Sequence, residues 1–264
     1  MAILTGPLMY LGSFKSIRNY RNLYDSNTYA GEKGGANRDL IMNNPAFVRT
    51  RENMSEFGGC GAAVKAIRRG LQNLLPEHAD AHLTGRLMRM AKQVNCLDLT
   101  GGRGRRSIIF SANRQILLNI VFNDRMNLSE MIQTRYGCCH PDSRAEATLS
   151  VTGLTISQVY VPAGATFFRV QNHLSIISDW VFSPDSLRYE PVSPLCGMSA
   201  FACSAFSPVN VALSFDAVAA FPLDIVLTAD CSVMQCVGVD FFIKSYGGVY
   251  LPLKGGAMKV VGVF

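Results

Sequence analysis

The chain is predicted to be α+β: an N-terminal arm or hairpin and a helical hairpin, followed by an antiparallel β-sandwich. Three observations predict this. Apolar residues recur at helical spacing up to Leu97, the period then changes from 3.6 to 2, and 8 of the 11 prolines lie after residue 140, between short strand-like runs. The change falls in the linker Leu99 to Arg106, which separates a basic arm-plus-helical segment, 1–106, from a sandwich domain, 107–264.

The first 35 residues interleave Ile17, Tyr20, Leu23, Tyr24 and Tyr29 with Lys15, Arg18, Arg21 and Lys33. A turn is expected at Asp25-Ser26-Asn27 and a close at Gly34-Gly35. Such an arm has too little core to stand alone and must pack on the body of its own chain or on a neighbouring subunit. Asn43-Asn44-Pro45 then offers an N-cap and a first-turn proline for a helix running to about Phe57. Gly58-Gly59-Cys60-Gly61 allows a bend or close packing, after which Val64, Ile67, Leu71, Leu74 and Leu75 resume helical spacing. Beyond the short connection Pro76 to Ala79, with Asp80 as a cap, Leu83, Leu87, Met90, Ala91, Val94 and Leu97 form the apolar stripe of a second helix. Two helices so closely joined suggest an antiparallel hairpin.

Strand candidates are Gln115 to Phe122, Ala147 to Ser157, Thr166 to Ile177, Val209 to Phe215, Leu223 to Ala229, Ser232 to Tyr246 and Ala257 to Phe264. The clearest signal is the closing hairpin, Val237 to Tyr246 and Val249 to Leu253 about Gly247-Gly248, continuing through Gly255-Gly256 into Met258 to Phe264. An apolar strand there is expected to be buried in a sheet.

Hydrophobic residues at 48% and charged residues at 17% exclude a disordered chain. A weakly charged exterior invites association with copies of the chain or with a partner; a large core beneath a Ser/Asn/Thr-rich surface is the plainer alternative. The net charge of +6 is uneven: residues 1–110 hold 16 Lys/Arg against 8 Asp/Glu, residues 111–264 hold 9 against 11. The eight cysteines follow no compact disulfide framework and several lie in apolar runs, so they read as reduced thiols. Met1 to Phe14 is apolar but lacks a basic n-region, and the longest apolar region, around Val209 to Phe221, is broken by Asp216 and Pro222. Cytoplasmic synthesis without a recognisable signal peptide and without a membrane span is expected, the final location staying open and extracellular release of an assembled structure being compatible with it.

Four stretches occur in order along nearly the whole chain: Glu32-Lys33-Gly34-Gly35; Asn44-Pro45-Ala46-Phe47-Val48-Arg49-Thr50-Arg51-Glu52-Asn53 with Glu56-Phe57-Gly58; Pro162-Ala163-Gly164-Ala165-Thr166-Phe167-Phe168; and Tyr250-Leu251-Pro252-Leu253-Lys254-Gly255-Gly256-Ala257. They resemble a widespread family of uncharacterised Bacteroidota proteins. The resemblance implies a shared helical-plus-β layout and no activity that transfers residue by residue. Cys60, Cys138 and Cys139 and an arm rich in Asn and Tyr depart from the family pattern.

Catalytic motifs are absent: there is no Gly-x-Ser-x-Gly, and the four histidines include only one helically spaced pair, His78 and His82, without the carboxylate of a metalloprotease helix. Cys138-Cys139-His140 and Cys231/Cys236 lack zinc-ligand spacing. No enzyme, no cofactor and no metal is therefore expected. Gly101-Gly102-Arg103-Gly104-Arg105-Arg106 lacks the ending of a phosphate-binding loop, yet Arg103, Arg105 and Arg106 are candidate anion contacts; a linker pairing with acidic residues of an adjoining subunit is the blander alternative. Arg49, Arg51 and Glu52 form a hydrogen-bonding set on one helix, with a solvated or internally paired face as the alternative. With Tyr20, Tyr24, Tyr29 and Phe57 they are candidate subunit-interface residues.

The expected function is thus a structural, self-assembling subunit of a homopolymer (filament, tube or shell) held by its arm and by sheet edges. The alternative is a nucleic-acid-binding or packaging protein using the basic N-terminal half. A carbohydrate-binding sandwich is a third reading; it needs an exposed aromatic platform, and Trp180 is the sole tryptophan.

Overall fold

A computed structural model of the protein describes residues 2–4, 10–21, 25–72 and 74–264. The fold is α+β, with a helical hairpin region and several antiparallel sheets. The chain divides into two compact units, Met1–Arg51 and Glu52–Phe264.

In the N-terminal unit, β1 (Ala2–Ile3), β2 (Gly12–Phe14), β3 (Ile17–Arg21) and β4 (Thr28–Glu32) form an antiparallel sheet in the order β1-β4-β3-β2. Asp25 accepts a hydrogen bond from the Asn27 N–H at 3.0 Å, building the turn before β4. Helix α1 (Arg38–Asn43) starts on an Asn37 cap whose side chain accepts from the Leu40 N–H. Asn44 does the same for Ala46, opening a 3₁₀ turn at Pro45–Phe47 that leads into α2 (Val48–Gly70). That helix runs unbroken through Gly58–Gly61. At Gly59 the glycine serves close packing, because a Cβ there would collide with the ring of Tyr189.

The C-terminal unit holds the rest of α2, then α3 (Leu75–His78), α4 (Leu83–Leu97), α5 (Arg114–Leu118), α6 (Leu128–Met131), β5 (Tyr136–Cys139), β6 (Glu146–Leu154), β7 (Phe167–Ser178), β8 (Trp180–Ser183), β9 (Arg188–Pro191), β10 (Ser199–Cys203), β11 (Ser207–Pro208), β12 (Leu213–Ala220), β13 (Cys231–Lys244) and β14 (Tyr250–Val263). Its central sheet runs β10-β7-β13-β14, with β11 also on β7; a second sheet runs β12-β6-β5, and β8 pairs with β9.

Side-chain alternation along β7 and β13 sorts the layers. Phe168, Val170, Val237, Val239 and Phe241 meet Leu149, Val151 and Leu154 of β6, while Leu174, Ile176 and Val233 meet Ala147 and Ala219. The opposite face, with Ile177, Met234, Cys236, Met258 and Val260, packs on Cys60, Val64, Ile67, Leu87 and Ala91 of the helices. The C-terminal unit is therefore a sandwich with a helical third layer. Its central strands are buried on both sides: every residue of 171–178 and of 231–242 is buried. Each large apolar side chain removed from water in such a layer contributes about 1.5–3 kcal/mol.

Two expected strands are replaced, and a third, Val209 to Phe215, is strand only from Leu213, where β12 begins. Gln115 to Phe122 begins as α5, with Leu117 fully buried and Asn119 as the C-cap; only Val121 makes a β-bridge, to Lys259. A short apolar run is compatible with either period, and packing against α4 decides it. Within Leu223 to Ala229 the alternation holds only around Val226, which points out between inward-packing Ile225 and Leu227, while Leu223 is exposed against the pattern; no strand pairs with the run among the described residues. Asp80 does not cap α4 directly: its carboxylate accepts from the His82 N–H at 2.8 Å, the Asp124 N–H at 3.1 Å and Arg86 at 2.8 Å. Those donors hold its pKa at about 2.

Candidate functional site

Two surfaces carry the residues singled out by sequence. In the N-terminal unit the strand register places Ile3, Tyr29, Tyr20 and Arg18 on one sheet face and Phe14 and Ile17 on the other. Tyr20 and Tyr29 stack with centroids 5.9 Å apart, Arg18 lies 5.9 Å over the Tyr20 ring, and the Tyr29 hydroxyl donates to Asp25 at 2.7 Å. Tyr24 lies outside the described residues. Among the described residues of this unit no hydrophobic side chain is buried; Ile3, Tyr10, Leu11, Phe14, Ile17, Leu40, Met42 and Val48 are all exposed.

Arg51 acts within this unit. Its guanidinium donates to the Ile41 carbonyl at 2.6 Å and to the Asn44 carbonyl at 3.0 Å, so it closes the C-terminus of α1, where a cation is favoured. Arg49 is exposed on α2. Glu52 is half-buried against Gly104, and Phe57 projects at 59% exposure.

The second surface is the Asp98–Arg106 loop of the C-terminal unit, whose backbone is held by buried polar side chains. One Asp98 oxygen accepts from the Thr100 N–H and hydroxyl and the Gly101 N–H, the other from the Ser107 N–H at 2.7 Å. Burial raises the Asp98 pKa, and these four donors outweigh it, leaving the group well below the usual carboxylate range. Glu56, 3% exposed, accepts from the Gly104 N–H at 2.8 Å and pairs with Lys92. Asn95 and the Tyr189 hydroxyl donate to the Arg106 carbonyl at 2.7 and 2.9 Å. Gly104 has φ +85° and lies against Glu52, so a side chain there would be strained as well as crowded.

The loop thereby separates its arginines. Arg106 turns inward, 3.9 Å from Glu56, whereas Arg103 and Arg105 are exposed, Arg105 lying 5.3 Å from the Phe182 ring centroid. Asn95, Asp98 and Tyr189 belong to no recognisable motif, and Glu56 stands in the Glu56-Phe57-Gly58 stretch without a role being implied for it; the remaining sequence signal for them is polarity within apolar stripes.

A third polar group lies between α3 and the central sheet, where sequence reasoning assigned nothing but a helically spaced histidine pair. His78 is fully buried against Asp240, while His82 is exposed at the start of α4, so the two do not share a site. Cys231 and Cys236 lie in core clusters on opposite faces of the central sheet. Among the described residues no three His, Cys, Asp or Glu side chains are gathered as a metal would require. Trp180 is buried in the helical core. No helix among the described residues is long and apolar enough to cross a membrane. No protein-family model matches the chain, and neither a curated protein nor a solved structure matches it significantly.

Proposed function

We propose that this chain is a structural subunit that assembles with copies of itself, the N-terminal unit serving as the docking arm. The observation that carries this reading is the absence of any buried hydrophobic side chain among that unit's described residues, although it forms a four-stranded sheet. A sheet of this size needs an apolar face packed on something to be stable in water. A second copy is favoured as the occupant by charge: residues 1–51 hold 7 Lys/Arg against 3 Asp/Glu, whereas 107–264 hold 9 against 11, so arm and sandwich of different copies attract. The outer strands β2, β5 and β12 provide further edges for pairing.

The test compares the full chain with a Phe14→Asp/Ile17→Asp variant by sedimentation velocity and electron microscopy. Regular assemblies of the wild type and monomers of an equally folded variant are expected. A monomeric wild type, or a variant that assembles unchanged, overturns the reading.

Nucleic-acid binding is supported by one specific feature, the exposure of Arg103 and Arg105 on a loop whose backbone is fixed from within. On that reading, Arg103→Ala/Arg105→Ala weakens binding to single-stranded or duplex oligonucleotides alike. It also lowers the slope of log affinity against log salt by about 1 per lost phosphate contact. Absence of salt-sensitive binding by the wild type eliminates it.

A further inference from the structure

Among the described residues, every polar partner of His78 is an acceptor. Its Nδ1 lies 2.8 Å from the Leu74 carbonyl oxygen, and its Nε2 lies 3.0 Å from Asp240 Oδ1 and 3.1 Å from the Val239 carbonyl oxygen. Each of these partners is an acceptor, and the side chain is 0% exposed. A neutral imidazole has one N–H and one lone pair, so either neutral tautomer would aim a lone pair at an oxygen in a site closed to water. With Asp240 ionised, only the doubly protonated ring satisfies both sides.

The surroundings are shaped for that state. Asp240, 5% exposed, also accepts at Oδ2 from Arg169 Nη2 at 3.1 Å and from Gln171; burial raises its pKa, but His78 and these donors outweigh it and hold the carboxyl below the usual carboxylate range. Gly256 and Gly238 leave room for the ring: a Cβ on them would stand 3.0 and 3.3 Å from His78 Nε2. Among the described residues the titratable and charged groups along this face are Asp240 and Cys236 on β13, Arg169 and His173 on β7, and Glu77 on α3 itself, with Cys203 of β10 near Arg169 and Asp240; β14 presents Gly256. His173 donates from Nε2 to the Gly70 carbonyl at 2.7 Å, and burial lowers its pKa.

We propose that His78 is a buried imidazolium in the native protein and serves as a pH-sensitive latch holding α3 on the central sheet. Burial opposes the charge, but Asp240 and the two carbonyls outweigh it and raise the pKa above the ordinary histidine value. The stabilisation is complete below the unfolded-state value of about 6.5 and is lost as pH rises through the folded value. Because α3 joins α2 to α4, alkaline conditions loosen the attachment of the helical layer to β13 and β14 before they unfold the sandwich.

Long-range ¹H–¹⁵N imidazole spectra of the full chain test this directly. Both ring nitrogens of His78 are expected to be protonated at about pH 7, with a titration midpoint above the ordinary histidine value of about 6.5. A lone pair on either nitrogen under those conditions overturns the proposal. Urea unfolding from about pH 6 to about pH 9 gives an independent readout: the wild-type unfolding constant rises by up to about tenfold per pH unit inside the latch's range, and in His78→Gln this rise disappears. A variant slope equal to that of the wild type overturns the latch. Should His78→Gln not fold, the imidazole titration of the wild type decides the question.

Discussion

Glu56 illustrates how single buried charges organise the loop that carries the exposed arginines. Lys92 and the Gly104 N–H occupy its two oxygens, and although burial raises its pKa, those donors bring it below the usual range. Glu56→Gln keeps the shape and removes the charge; with Lys92 one-third exposed, a loss of about 2 kcal/mol in urea unfolding is expected. Asp98 sets the acid limit of the same loop. Its depressed pKa contributes stability above the unfolded value of about 3.9, and that contribution is lost as pH falls through the folded value. The protection factors of the Thr100, Gly101 and Ser107 amides, measured against intrinsic exchange at each pH, are therefore expected to fall below about pH 4 while those of central-strand amides hold. The arginines themselves were legible in sequence as a Gly-Arg run, but their division into Arg106 inward and Arg103 and Arg105 outward was not. That division depends on Glu56 and Tyr189, 48 and 85 residues from Gly104 in sequence.

At the scale of elements, identical substitutions distinguish packing from backbone conformation. Gly59→Ala on α2 drives a methyl group into the Tyr189 ring and is expected to cost about 1–3 kcal/mol through overpacking. Gly248→Ala, in the turn between β13 and β14, meets nothing within 4 Å but sits at φ +80°, so a cost of roughly 1 kcal/mol arises from the backbone alone. Thermal unfolding of the two variants measures both, and Tyr189→Ala should relieve the first and leave the second unchanged. The long elements were readable: the stripe of α4, the hairpin β13–β14 and the strands β6 and β7 all lie where periodicity put them. Short apolar runs were not, since α5 and the loop after Phe221 take their form from what they pack against. The buried amides were hidden as well. Asn172 donates to the Ala147 and Ala217 carbonyls and accepts from Gln235, joining the two sheets, yet strands buried on both faces show no alternation that would single such residues out.

For the whole molecule, the division into Met1–Arg51 and Glu52–Phe264 separates a unit with no buried hydrophobic side chain among its described residues from one with three apolar clusters. Residues 52–264 expressed alone are expected to unfold cooperatively, within a few degrees of the corresponding transition in the full chain, as read by calorimetry. Failure of this fragment to fold would make the N-terminal unit part of the core. The layer order has a consequence for synthesis. The apolar stripes of α2 and α4 end at Leu97, but the sheet face they pack on includes Met234, Cys236, Met258 and Val260. At translation rates of roughly 5–20 residues per second, roughly 10–30 s separate the emergence of the helices from that of their last partner strand. Throughout that interval the two helices have each other to rest on, while the strands that finally cover their greasy faces are still being made.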